Sequence, residues 1–142
     1  MRTSAETALA SSMRLAVMRL ARRMRSERTD SSLTLSQIAA LATLERHGPL
    51  TPRELAAHER VQPPSMTRIC AALEADGLLT RTDHPTDGRQ VLLAVSPAGN
   101  ALLREDRRRR EAWLAQRLSE LPAEALSVLR RAAEILDRLA GT

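Results

Sequence analysis

The sequence predicts a mainly α-helical fold carrying one small β-hairpin, with helices at both ends of the chain flanking a short-helix unit in the middle. Three observations predict it. Apolar residues recur at spacings of three and four over most of the chain. Hydroxyl caps and prolines stand where helices would begin. Residues 78–95 alone read as two short strands around a turn-rich segment. A length of 142 residues suits one folding unit with elongated helical extensions.

The first helix is predicted over Ser4 to Arg28, where Leu9, Met13, Ala16, Leu20 and Met24 share one face and Arg14, Arg19, Arg22, Arg23, Arg25 and Arg28 cover most of the rest. At 1.5 Å per residue it is about 37 Å long. Either a second chain or another helix of the same chain covers its apolar stripe. A polar linker, Thr29 to Leu33, leads to Thr34, which with Gln37 forms the two halves of a capping box for a helix running to Arg46. His47-Gly48-Pro49 ends that helix. Thr51-Pro52-Arg53-Glu54 is the sharpest helix start in the chain: a hydroxyl cap, a proline at the first helical position and a reciprocal carboxylate.

That helix, Pro52 to His58, is short, and a turn over residues 59–62 leads to Pro63-Pro64, which suit the first turn of a further helix extending to Asp76. Met66, Ile69, Cys70 and Leu73 fall on its inner face, leaving Gln62, Pro64, Ser65, Thr67, Arg68, Ala71 and Ala72 at the rim or outward. Short side chains on that face let a helix approach DNA base edges closely. Gly77 ends the helix. Leu78 to Asp83 and Arg89 to Val95 then form a hairpin around His84-Pro85-Thr86-Asp87-Gly88, the only β structure expected. Ser96-Pro97 opens a long helix to Ser119 with Leu102, Leu103, Trp113, Leu114 and Leu118 as its apolar positions. A last helix, Pro122 to Ala140, carries Leu126, Leu129, Ala133, Leu136 and Leu139.

Composition excludes several chemistries. All 22 basic residues are arginine, so no phosphate-loop or Schiff-base lysine exists. Trp113 is the only aromatic residue among Phe, Tyr and Trp, which argues against the base stacking used by single-strand binders. Double-stranded DNA stays open, and a net charge of +5 suits a polyanion. Cys70 is the single cysteine, expected to be a buried inert thiol, and with His47, His58 and His84 separated by turns no metal site is expected. No cofactor is called for. Glu105 and Asp106 are neighbours on a helix and point apart, so they form no acid/base dyad. The Arg107 to Arg110 run spans most of a helical circumference and reads as a solvated face pairing with residues such as Glu105 or Glu111. No signal peptide or stretch of membrane-spanning length is evident, so a reducing cytoplasm is the expected setting, with no membrane partner.

Two short helices with a capped start between them, followed by a hairpin, make a winged helix-turn-helix pattern. Within it, Leu73-Glu74-Ala75-Asp76-Gly77-Leu78-Leu79-Thr80-Arg81 leads into Asp87-Gly88-Arg89-Gln90-Val91-Leu92-Leu93-Ala94-Val95-Ser96-Pro97-Ala98-Gly99, and this run resembles the MarR family of bacterial transcription regulators. The motifs cover residues 33–99; the flanking helices agree by pattern only. The resemblance implies a homodimer with an N-terminal dimerisation helix (1–32), a winged helix-turn-helix DNA-binding domain (33–96) and C-terminal dimerisation helices (97–142), reading an inverted-repeat operator in duplex DNA. It places Ser65, Thr67 and Arg68 in the major groove, Arg89 at the wing tip in the minor groove, and Asp87 as the acid that orients Arg89.

Elementary chemistry supports the same residues. Arg68 on an exposed helix face can donate two hydrogen bonds to guanine, discriminating by about 1 to 3 kcal/mol, and an arginine at a hairpin tip suits a narrow, electronegative minor groove. The expected function is therefore a DNA-binding transcription regulator without enzymatic activity, a repressor rather than an activator. The alternatives are a winged helix that docks a protein partner instead of DNA and an architectural protein that binds duplexes broadly. A small enzyme is disfavoured, because no nucleophile, base and orienting group share a site. A small-molecule effector, frequent in the family, would have to use an aliphatic pocket near Met13, Met24, Leu35 and Ile38 with Arg14 or His47 as its polar group.

Overall fold

A computed structural model of the chain describes residues 1–27 and 33–141. These form α1 (Ser4–Arg25), α2 (Leu35–His47), α3 (Pro52–Glu59), α4 (Pro63–Ala75), β1 (Leu79–Asp83), β2 (Val91–Val95), α5 (Pro97–Leu118) and α6 (Ala123–Ala140). The mainly helical winged helix-turn-helix fold is as predicted. Arg28, expected to end the first helix, and residues 29–32 of the expected linker lie outside the described residues.

The chain divides into two compact units, Arg28–Arg108 and Met1–Glu27 with Arg109–Thr142. This division cuts α5, whereas the sequence suggested a boundary at its start. The physical reason is burial. Gly99, Leu103 and Asp106, the buried residues of α5, all precede Arg109.

In the Arg28–Arg108 unit the core is wholly aliphatic apart from Met66 and Cys70, with Leu41, Leu44, Leu55, Met66, Leu73 and Leu93 fully buried. Each such leucine contributes about 1.5 to 3 kcal/mol by leaving water. Capping boxes start both α2 and α3: Thr34 Oγ1 accepts from the Gln37 N–H at 3.1 Å while Gln37 Oε1 accepts from the Thr34 N–H at 3.0 Å. Thr51 and Glu54 repeat the arrangement at 3.2 and 3.1 Å. Between α3 and α4 the chain turns through Arg60, whose φ of +54° is left-handed and is held by a Val61 N–H to Ala56 carbonyl bond of 3.0 Å. Thr43 Oγ1 donates to Glu59 at 2.6 Å and ties α2 to the end of α3.

Strands β1 and β2 pair antiparallel with Leu79 opposite Val95 and Asp83 opposite Val91. The β content exceeds the hairpin predicted as the only β structure. Leu50 forms an antiparallel bridge with Leu93, exchanging backbone bonds of 3.0 and 2.7 Å. A single bridging residue between two helices leaves no alternating pattern to read, which is why the sequence does not announce it. Arg89 and Gln90 also fall outside β2, because Asp87 captures the Arg89 N–H at 3.1 Å and holds the chain in the turn.

The other unit contains α1, the end of α5 and α6. Thr3 and Glu6 form a capping box at the start of α1 that the sequence reading omits. Neither α1 nor α6 has a buried residue, and large apolar side chains stay open: Leu20 is 43 % and Leu129 44 % exposed. The stripe foreseen on the first helix is therefore covered only in part within this unit, with Met13 and Met24 half-buried and Leu9, Ala16 and Leu20 exposed. Trp113 lies with the Arg23 guanidinium 5.1 Å and that of Arg117 5.5 Å from its ring.

Candidate nucleic-acid interface

The joint between α4 and the hairpin explains the motif residues one by one. Asp76 closes α4, Gly77 adopts φ +73°, and the Leu78 N–H reaches the Leu73 carbonyl at 2.9 Å. This is a helix stop in which two buried leucines, Leu73 and Leu78, flank the left-handed glycine. Ser96 Oγ donates to the Gly77 carbonyl at 2.6 Å and accepts from the Gly99 N–H at 3.0 Å, so one buried hydroxyl locks the end of α4 to the start of α5. A β-carbon at Gly99 would strike the Leu78 carbonyl and the Val95 side chain. Only glycine lets α5 start this close to the hairpin.

That joint fixes α4 with its inner face, Met66, Cys70 and Leu73, buried. Gln62, Pro64, Thr67, Arg68 and Ala71 are exposed, and Ser65 and Ala72 are half-buried at the rim. Arg68 is restrained lightly, its Nη2 donating to Ser65 Oγ at 3.4 Å. The Thr67 hydroxyl donates to the Pro63 carbonyl at 3.0 Å and keeps its oxygen lone pairs outward. No side chain caps the α4 N-terminus at Gln62. The result is a slender polar face with one guanidinium at its centre.

The hairpin tip is organised from within. His84 Nδ1 accepts the N–H groups of both Thr86 and Asp87 at 3.2 Å. Asp87 Oδ1 takes the Arg89 N–H, and its Oδ2 accepts from Gln90 Nε2 at 3.1 Å. Asp87 thus orders the backbone beneath Arg89 more than its guanidinium, whose Nε stands 4.0 Å from the carboxylate. The Arg89 side chain is 97 % exposed and can extend freely into a groove.

Two further arginines come near this tip, and the sequence reading passed over both. Arg53, in the first turn of α3, and Arg81, on β1, line an open hollow of about 460 Å³ with Arg89, Gln90, Val91, Thr51 and Pro52. Arg81 is paired with Glu74 of α4 at 3.1 Å. Their signal in the sequence is weak, since an arginine after a cap and one in a strand are each ordinary surface residues.

Around the interface, the Thr51 N–H bond holds the Glu54 carboxyl below the usual carboxylate range, helped by the Thr51 hydroxyl and, less, by His84 and His58. Burial pushes the Cys70 thiol up, so it stays protonated and unreactive at neutral pH. His47 and His58 stack with ring centroids 4.2 Å apart. Among the described residues no group of three metal-ligating side chains occurs. Arg108 pairs with Glu105 at 2.6 Å, one of the partners the run suggested, while Arg107 reaches across to Glu45 of α2 at 3.0 Å.

The residues suggested for an effector are distributed over both units. Met13, Arg14 and Met24 belong to α1, with Met13 in an apolar groove beside α6 and Arg14 Nη1 set 3.8 Å from the Met18 sulfur. Leu35, Ile38 and His47 belong to α2: Ile38 is part of the core, and Leu35 lines a separate hollow of about 280 Å³ with Val61, Met66 and Ile69. No described helix is long and apolar enough to cross a membrane.

The chain's relatives agree with this architecture. The MarR family model matches residues 33–91. An uncharacterized HTH-type transcriptional regulator of Mycobacterium leprae is 48 % identical over 131 residues, 92 % of each chain. A solved protein of Pseudomonas aeruginosa PA01, assigned as a transcriptional regulator, superposes with a TM-score of 0.88 at 31 % identity over 99 % of both chains. A MepR mutant of S. aureus, solved bound to an oligodeoxyribonucleotide, shares the fold with a TM-score of 0.72 at 17 % identity over 92 % of this chain and 97 % of that one. The chain is a member of the MarR family, a transcription regulator with a DNA-binding winged helix.

Proposed function

We propose that the protein is a homodimer that binds an inverted-repeat operator in duplex DNA and acts as a repressor. The observation that carries the reading is the pairing, within one unit, of a slim exposed α4 face centred on Arg68 and a hairpin tip whose Arg89 is unshielded. α4 enters the major groove, where Ser65, Thr67 and Arg68 meet base edges and Gln62 and Pro64 lie at the leading turn. Arg89 enters the adjacent minor groove.

Dimerisation is supported by the apolar groove of about 430 Å³ between α1 and α6, lined by Met13, Val17, Leu20, Leu129, Ile135 and Leu136 among others. Such a contiguous apolar face on an otherwise arginine-rich surface marks an interaction site, and a second copy supplies the matching stripe. A bound dimer spanning two half-sites blocks access to the promoter it covers, which is the basis for repression. Release of the duplex by a small apolar effector completes the reading.

The test is gel retardation and analytical ultracentrifugation of the purified chain. A dimer that retards duplex DNA at low salt supports the proposal. A dimer that leaves every duplex unshifted would instead favour a winged helix that docks protein. Screening small apolar molecules for release of bound duplex tests the effector, and no release by any of them makes the protein a constitutive binder.

A further inference from the structure

The hollow between α3 and the hairpin is lined by three guanidiniums delivered from three different elements: Arg53 from α3, Arg81 from β1 and Arg89 from the tip. Like charges gathered around one hollow repel one another, and the carboxylates nearby relieve this only in part. Glu74 holds Arg81, and Asp87 stands 4.0 Å from Arg89. Arg53 is exposed, and among the described residues its side chain makes no hydrogen bond or ion pair. The Thr51 hydroxyl and the Glu54 carboxylate, its neighbours in the chain, are committed to each other's backbone N–H groups. The rest of the lining is polar Thr51 and Gln90 together with apolar Pro52 and Val91.

We infer that this hollow seats a phosphodiester of the DNA backbone, gripped by Arg53 and Arg81 and closed over by Arg89 as the tip enters the minor groove. The inference rests on the duplex-binding reading above. Three guanidiniums offer more donors than one phosphate can accept, so the seat fits an oxyanion and leaves Arg89 free to continue into the groove. Arg81 keeps its bond to Glu74 of α4 while donating to the phosphate with its remaining N–H groups. The phosphate is thereby connected to the helix that reads bases as well as to the hairpin. This contact carries no sequence preference; it sets where along the duplex α4 and the tip land together.

The experiment is a salt titration of duplex affinity, by fluorescence anisotropy, for wild type, Arg53→Gln and the Arg53→Gln/Arg81→Gln pair. The probe is a duplex about three helical turns long selected by the wild type from a random pool. Thermal melts accompany each variant, and Arg53→Gln, which breaks no intramolecular bond, keeps the test valid if the double variant is destabilised. Losing one phosphate contact in each of two half-sites should flatten the plot of log K against log salt by about 1.8, at 0.9 per phosphate. The loss should be equal on preferred and scrambled duplexes. Wild-type binding with an unchanged slope in both variants overturns the inference and leaves the duplex-binding reading intact. A wild type that binds no duplex at all overturns both. Inorganic phosphate, titrated at constant ionic strength in the absence of DNA and followed by NMR of the arginine side chains, separates the two sources of the anion. Binding of free phosphate through Arg53 and Arg81, with an unaltered duplex slope, would make the hollow an ion site and contradict its assignment to the DNA backbone.

Discussion

Arg68 and Arg89 are exposed for different reasons, and their removal should have different consequences. Arg68 projects from a rigid helix whose inner face is buried, so Arg68→Ala should cost about 1 to 3 kcal/mol on the preferred duplex and relax the preference at a single base pair. Binding assays against duplexes varied at each position measure this; an equal loss on every sequence would make Arg68 a backbone contact. Arg89 stands on an ordered turn, its side chain approached within the fold by Asp87 at 4.0 Å. Arg89→Ala should weaken binding with no change in melting temperature, and unchanged affinity would remove the hairpin tip from the mechanism. Gly99 is the opposite kind of residue, far from base edges yet intolerant of change. A methyl there strikes the Leu78 carbonyl, so Gly99→Ala should destabilise the fold by about 1 to 3 kcal/mol in denaturant unfolding. Its place in the sequence pattern was legible; its reason was not, because close approach of two backbones leaves no mark on hydrophobic spacing.

At the scale of elements, the helix starts were the most readable feature, because a capping box is local chemistry that survives into the fold unchanged: Thr34 with Gln37 and Thr51 with Glu54 are both closed in space. The α3 box has a pH signature. Glu54 is depressed below the ordinary carboxylate range, so its contribution to stability is complete above that range. It is lost as pH falls through the lowered folded-state value. The stability gap between wild type and Glu54→Ala should therefore shrink on acidification through that window, and a gap independent of pH would contradict the assignment. The hairpin tip depends on His84, whose ring accepts two backbone N–H groups. His84→Ala should loosen residues 84–90, raise their amide exchange and lower duplex affinity while leaving the core of α2, α3 and α4 protected. What the sequence could not announce were the contacts between elements. The Leu50 bridge, the Arg107 to Glu45 pair and the placing of Arg53 and Arg81 around one hollow bring together residues far apart in the chain, and no periodicity encodes them.

For the whole molecule, the two units divide the labour. One presents α4 and the hairpin; the other carries amphipathic helices with no buried residue in α1 or α6. The amphipathic stripes of both terminal helices were plain in the sequence, but where the boundary falls inside α5 was not, since it depends on which turns of one continuous helix bury their side chains. With all the positive charge on arginine, duplex binding should depend steeply on salt, losing about 10³ to 10⁵ in affinity between low and moderately high salt if roughly 6 to 10 phosphates are neutralised. A shallow dependence would mean that far fewer phosphates are touched. The most direct test of two grooves read in two copies is selection of bound duplexes from a random pool, followed by sequencing and footprinting. The arrangement predicts enrichment of inverted repeats whose half-sites lie about one helical turn apart; a pool that returns no enriched repeat, or a chain that stays monomeric and binds no duplex in dilute buffer, would contradict it.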